Sequence, residues 1–248
     1  MPTHALSTVY LVLVTLQVLL GRGLAYSSEP FKISQIADDT GTLHYFPILQ
    51  EAYRRLGFEI VAVPLPAERA LRVADSGLTD GETVRIEGLE ALYPNLVRVP
   101  ESVVSVKVKA FTTGTTFPVA GWESLRPYSI CYMHGLKLYE QGTQGMNRVS
   151  ALGLENALRL LRDGICDVAV LSPSAWIMVD SLKMGPMREL EPPIATYDLY
   201  HYVHRRHEKL VPLLAEELRK MKQEGVVQAI LEPYRQAVDD AKVRQSLP

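Results

Sequence analysis

The stretch Pro64–Arg85 constrains the fold most, because strand end, tight turn, helix, glycine stop and next strand follow one another there without slack. Ala67, Ala70, Leu71 and Ala74 recur at i, i+3, i+4 and i+7, the spacing of one buried helical face. Pro66 suits a first helical position, where a missing N–H costs nothing, and Gly77 suits the stop. Upstream, Phe31–Ala37 alternates as a strand and closes in Asp38-Asp39-Thr40-Gly41-Thr42; a helix with Leu49, Ala52, Tyr53 and Leu56 on one face then stops at Gly57. Phe58–Val63 is a second strand and Asp80–Arg85 a third. Strands alternating with helices predict a parallel sheet with right-handed crossovers, and ligands of such sheets sit beyond the carboxyl ends of the strands. Arg69 is out of place on electrostatic grounds, since a cation in the first helical turn opposes the positive end of the helix dipole. A carboxylate of the protein, a bound anion or plain solvation would each answer it.

Beyond Pro94 the chain reads as extended over Leu96–Val99 and Val103–Phe111, and the polar run Thr112–Thr116 suggests a domain boundary. A second alternating block follows: strand Tyr128–Met133, a short helix after His134-Gly135, a short strand near Arg148-Val149, and a helix with Leu154, Ala157, Leu158 and Leu161 inward. Gly164 stops that helix, and Asp167–Leu171 is a buried strand. The blocks echo each other: Ala70-Leu71-Arg72, Gly77 and Asp80 in the first; Ala157-Leu158-Arg159, Gly164 and Asp167 in the second. Glu191-Pro192-Pro193 reads as a stiff break before the strand Tyr197–Val203. Two helices follow, over Leu210–Met221 and Val226–Val238, and this tail is expected to pack on the first block.

Net charge is -2 over 248 residues with no block of lysine and arginine, which gives no support for nucleic-acid binding. The apolar run Val9–Leu20, followed by Gly23-Leu24-Ala25, has the length and small-residue ending of a signal peptide, so residues 1–25 are expected to be removed on export, without a lipid anchor. The spacing of Cys131 and Cys166 forms no zinc motif, and no metal or other cofactor is expected. Both sit in apolar strand contexts and are expected as free buried thiols; pairing in an oxidising compartment is the alternative.

The runs Leu49–Gly57, Pro66–Leu71 and Ser76–Gly81, then Asn156–Asp167 and the tail Leu210–Leu231, together resemble extracellular solute-binding proteins of the polar-amino-acid type. The resemblance spans Phe31–Tyr234 and rests on order and spacing. It implies an α/β, two-lobed type II periplasmic-binding-protein fold, each lobe a mainly parallel sheet flanked by helices and joined by two extended crossovers. Lobe one would take residues 26–112 and 198–248, lobe two 113–197, with hinges near 110–117 and 191–199. It also implies a periplasmic monomer holding a small solute between the lobes, with a membrane transporter permease as partner. The strand-end rule then nominates Asp38, Tyr45, Arg69, Arg85, His134, Lys137 and Ser172 as ligand-binding residues, the arginines and the lysine reading an anion. Tyr45 and Trp176 are candidate walls, although Trp176 fits a core position better.

Two departures from the family pattern stand out. Amino-acid binders of this type end a lobe-two strand in an acid for the ligand ammonium, where this chain has Ser172; and they place a hydroxyl residue after the lobe-two turn glycine, where it has Leu136 and Lys137. An anionic or polar solute is therefore expected. Two alternatives are an enzyme on the same scaffold, a dehydratase of a cyclic acid using His44, His134, Glu82 or Asp38, and a ligand-sensing accessory protein.

Overall fold

A computed structural model describes residues 29–37 and 39–246. The expected signal peptide and Asp38 therefore lie outside the described residues. The elements in order are β1 (Phe31–Ile36), α1 (Thr40–Arg55), β2 (Ile60–Leu65), α2 (Ala67–Asp75), β3 (Gly81–Arg85), β4 (Leu96–Thr112), β5 (Ile130–Met133), α3 (Lys137–Gly142), β6 (Arg148–Ala151), α4 (Leu154–Arg162), β7 (Val168–Leu171), α5 (Ala175–Ser181), β8 (Arg188–His204), α6 (Val211–Gln223) and α7 (Val226–Ser246). Pro66 proves to be the cap rather than the first residue of α2.

The strands run in the order β2-β1-β3-β8-β4-β7-β5-β6. Read from either end this is one pattern: three parallel strands and then one antiparallel strand arriving from the other half. The expected two-lobed α/β fold is thus present, with the lobe carrying β1–β3 (lobe one) and the lobe carrying β5–β7 (lobe two) as its halves. The crossovers β4 and β8 are long strands that pair with each other from Leu96↔His204 to Thr112↔Arg188, with register shifts along the way. Glu191-Pro192-Pro193 is accordingly no break: β8 passes through it, with a cis peptide before Pro192.

Each half buries its own apolar stripe. In lobe one Ala70, Leu71 and Ala74 of α2 and Ile48, Leu49 and Ala52 of α1 are buried by helices that each pack on β1 and β3, and in lobe two Leu158 and Leu161 of α4 are buried with Ile130 of β5 and Val168 and Val170 of β7. Asp80 and Asp167, the acids of the sequence echo, play one role. Each backbone N–H donates to the carbonyl of a residue at the start of the neighbouring strand, Lys32 or Ser129, and each carboxylate accepts that residue's N–H, at 2.7 and 2.8 Å.

Two expectations fail. Cys131 and Cys166 are not free thiols: their Cα atoms stand 5.7 Å apart and they form a disulfide, because the α4 return lays Cys166 beside β5. The tail does not pack on the first lobe alone. Helix α7 leaves α6 and lies along α5, where Arg244 pairs with Asp180 at 2.8 Å, and Lys242 reaches Glu189 of β8 at 3.1 Å. Among the described residues no helix is long and apolar enough to cross a membrane.

Candidate functional site

The carboxyl ends of β1 and β3 meet the turn after β5 and the end of β7 across a narrow cleft, whose cavity encloses about 40 Å³. Its polar lining comprises Asp39, Thr42, Tyr45 and Arg85 from lobe one, and Lys137, Tyr139 and Ser172 from lobe two. Ile36, Val84, Ile86, Leu89, Leu136 and Leu138 are among the apolar walls.

Asp39 is there because it caps α1. Its carboxylate accepts from the N–H of Gly41 at 3.1 Å and from the hydroxyl of Thr42 at 2.6 Å, the usual use of an aspartate at a helix start. Tyr45 follows one turn later. The Tyr45 ring meets Tyr234 edge-on with centroids 6.1 Å apart, and the hydroxyls of Ser172 and Ser174 lie 2.5 Å apart. Burial first, and then neighbouring groups including the negative Asp39, push the phenols of Tyr45, Tyr139 and Tyr234 upward, so all three stay protonated donors.

Arg85 ends β3 and is 4% exposed. Its Nε donates to Glu82 Oε1 at 2.9 Å and Nη2 to the carbonyl of Ala67 at 2.8 Å. Its Nη1 is buried and has no hydrogen-bond partner among the described residues. Buried guanidinium nitrogens are rarely left so, and this one belongs to a side chain that lines the cavity.

Lys137 bridges the lobes. Its Nζ lies 2.7 Å from Glu68 Oε2 on α2 and 2.9 Å from Glu140 Oε2 on its own helix. Both carboxyls sit below their ordinary range: burial opposes this, and the bonds to Lys137 outweigh it. The lobes also touch at Gly135, where an added Cβ would stand 2.6 Å from the Glu68 nitrogen, and at Thr40, whose hydroxyl donates to the Ser174 carbonyl at 3.2 Å. At Gly135, φ is +80°, so the turn needs glycine twice over.

Of the seven residues nominated from sequence, the structure places Tyr45, Arg85, Lys137 and Ser172 in the cavity wall. His134 lies beside it, in a groove with Pro66 and Glu68, its ring nitrogen 3.7 Å from Glu140. Arg69 is exposed and is not among the residues lining the cavity. Trp176 is core, donating to Glu189 Oε2 at 2.7 Å. Sequence reasoning missed Tyr139, and it held Asp39 and Thr42 inside the nominated loop Asp38–Tyr45 without singling either out. Asp39 had a signal, an aspartate before Thr-Gly-Thr where a cap belongs, but Pro47 inside α1 hid how early the helix starts. The residues weighed for catalysis are scattered: His44 stacks on Tyr234 with centroids 4.4 Å apart, His134 is at the mouth, and Glu82 is buried behind Arg85.

The fold is that of the two-lobed periplasmic binding proteins. A histidine kinase sensor domain similar to periplasmic binding proteins superposes with a TM-score of 0.69 at 18% identity, covering 83% of this chain and 95% of that one. An amino-acid ABC transporter substrate-binding protein of Streptococcus pneumoniae, bound to L-arginine, gives 0.69 at 13%, covering 84% and 95%. The GluR0 ligand-binding core with L-glutamate gives 0.71 at 10%, covering 84% and 98%. In sequence, an uncharacterised protein of Shewanella oneidensis is 28% identical over 206 residues, 78% of this chain and 76% of that protein. No family model matches the chain.

Proposed function

We propose that the protein captures a small solute carrying a carboxylate, an amino acid or a short organic acid, by closing its two lobes around it. The observation that carries this reading is the unpartnered Nη1 of Arg85, buried in a cavity wall that also holds Asp39. A guanidinium reads a carboxylate through just such an N–H, and an aspartate in the same cavity suits an ammonium. The acid that the family pattern puts at the position of Ser172 is thereby replaced from the other lobe. The sequence led to the expectation of a polar or anionic solute; with Asp39 in the wall a zwitterion is served as well as a plain carboxylate. A cavity of about 40 Å³ favours a short side chain.

Export to an oxidising compartment is supported by the disulfide, since such bonds persist there. The protein then works as a periplasmic monomer that hands its solute to a membrane transporter permease. A second reading, ligand sensing, draws on the likeness to a histidine kinase sensor domain. Copurification with a permease supports delivery, and copurification with a membrane kinase supports sensing.

The test is calorimetry of the purified protein against the twenty amino acids and a set of C2–C5 carboxylic acids. At least one saturable carboxylate ligand is expected. Removing Arg85 alone strands buried Glu82, so the variant of choice is Arg85→Gln with Glu82→Gln, which deletes both charges together. Unchanged affinity in a double variant that melts normally removes Arg85 from the site.

A further inference from the structure

Glu82 is 0% exposed and Arg85 4%, yet they share a single contact where a forked pair could share two. Glu82 Oε2, like Arg85 Nη1, is buried without a hydrogen-bond partner among the described residues. The guanidinium therefore has one side committed to an internal carboxylate and one buried nitrogen without a partner, on a side chain that lines the cavity. A ligand carboxylate arriving at Nη1 would put two carboxylates on one cation. That leaves a net negative charge in a buried site, which burial opposes strongly. A proton on one carboxylate restores neutrality.

We propose that carboxylate capture at Arg85 is proton-linked: Glu82 is protonated in the carboxylate-bound state, taking its proton from solvent whenever it is ionised beforehand, so that Glu82 sets the pH dependence of binding. This rests on the reading of Arg85 given above and goes beyond it.

The groups around Glu82 leave it free to titrate alone. From β3 itself comes Arg85, the charge acting on the carboxyl. From β1, Ser34 stands opposite Glu82 and bonds Thr79. From β8 come Tyr202, opposite Glu82, and His201, whose Nδ1 donates to the Glu82 carbonyl at 2.8 Å. From α1, the hydroxyl of Tyr53 donates to His201 Nε2 at 2.9 Å. From α2 come the Ala67 carbonyl on Arg85 and Glu68, which is turned to Lys137. His201 is neutral near pH 7, because burial lowers it to about 4, and burial pushes the phenols of Tyr53 and Tyr202 up. Burial also pushes Glu82 up to about 7 against the pull of Arg85, so the free protein already holds this proton part of the time near neutrality. An approaching anion raises it further.

The sign follows from linkage. Below about pH 7 Glu82 is protonated before the ligand arrives, and affinity is flat. Above it, each carboxylate must bring in a proton, and affinity falls as pH rises, by about ten-fold per pH unit at the limit.

The experiment is calorimetry with L-alanine and propionate, a zwitterion and a plain carboxylate of equal length, at pH 6.0, 7.5 and 8.5. Each pH is run in two buffers of different ionisation heat. The wild-type protein is expected to take up close to one proton per ligand at pH 8.5 and to bind about ten-fold more weakly there than at pH 7.5. Glu82→Gln is expected to bind with no uptake and no dependence over the range. Saturable binding without proton uptake in the wild-type protein overturns the proposal and leaves the Arg85 reading standing; so does uptake that survives in Glu82→Gln. If neither probe binds saturably at pH 6.0, the Arg85 reading for small carboxylates fails and this inference fails with it. The wild-type proton count needs no variant, so a misfolded Glu82→Gln does not blunt the test.

Discussion

Asp39 and Arg85 face one cavity with opposite charge, and each is held by bonds that have nothing to do with a ligand. Asp39 caps a helix and Arg85 is anchored to Ala67 and Glu82. Fixed charges of this kind discriminate, because they lose no side-chain entropy when a ligand arrives. Asp39→Asn keeps a capping oxygen and removes the charge. The variant is expected to weaken L-alanine by roughly ten-fold or more while leaving propionate within about two-fold, since only the former carries an ammonium. Equal losses for the two ligands, read by calorimetry at pH 6.0, would show that Asp39 acts through the cap alone. Arg85 was legible in the sequence from its place at a strand end. Glu82, three residues before it on β3, is its partner, and burial is what turns that ion pair from an alternative to a ligand into a regulator of one.

At the scale of elements, the echo between Ala70–Asp80 and Ala157–Asp167 turned out to carry more than a generic helix-to-strand return. Asp80 and Asp167 pin equivalent strands by the same two bonds, and the strand order is palindromic around β8 and β4. Helix faces, glycine stops and the alternation of strands with helices were readable because periodicity and turn chemistry are local. What was not readable depends on distance through space. Glu191-Pro192-Pro193 looks like a break in one dimension, but β4 offers a partner along its whole length and β8 runs on through it. Cys131 and Cys166 are 35 residues apart in sequence and 5.7 Å apart at Cα, and only the second number decides pairing. A loop of that size closed by a disulfide is worth about 4 kcal/mol in the chain-entropy account. Reduction under native conditions is therefore expected to lower the melting temperature by roughly 5 °C or more, read by differential scanning calorimetry. The Cys131→Ala, Cys166→Ala variant should be insensitive to reductant. A wild-type protein equally insensitive would mean that the bond contributes nothing.

For the whole molecule, the lobes touch across the cleft, with Lys137 of lobe two seated on Glu68 of lobe one at 2.7 Å. A half-buried pair of this sort is worth about 1 kcal/mol, enough to shift an open-to-closed ratio about five-fold. Lys137→Met is expected to enlarge the radius of gyration of the ligand-free protein in small-angle scattering; an unchanged profile would show that packing at Gly135 and Thr40 holds the lobes by itself. The pH dependence of folding belongs to the same scale, because it sums groups from a lobe-one strand and a crossover. His201 lies near 6.5 when unfolded and about 4 when folded, so its contribution is complete above 6.5 and is lost as pH falls toward 4. Glu82 runs the other way: ordinarily near 4.5 and raised to about 7 in the fold, it contributes fully below 4.5 and loses that stability as pH rises toward 7. Between 4.5 and 6.5 the two slopes oppose each other at about 1.4 kcal/mol per pH unit apiece. The difference between wild-type protein and Glu82→Gln isolates the second slope, since every other group is common to both. Urea unfolding at pH 4.5, 5.5 and 6.5 is expected to show Glu82→Gln gaining on the wild type by about 1.4 kcal/mol per unit as pH rises. Parallel profiles would mean that Glu82 titrates in the fold as it does in water, and that the buried pair with Arg85 does not hold a proton.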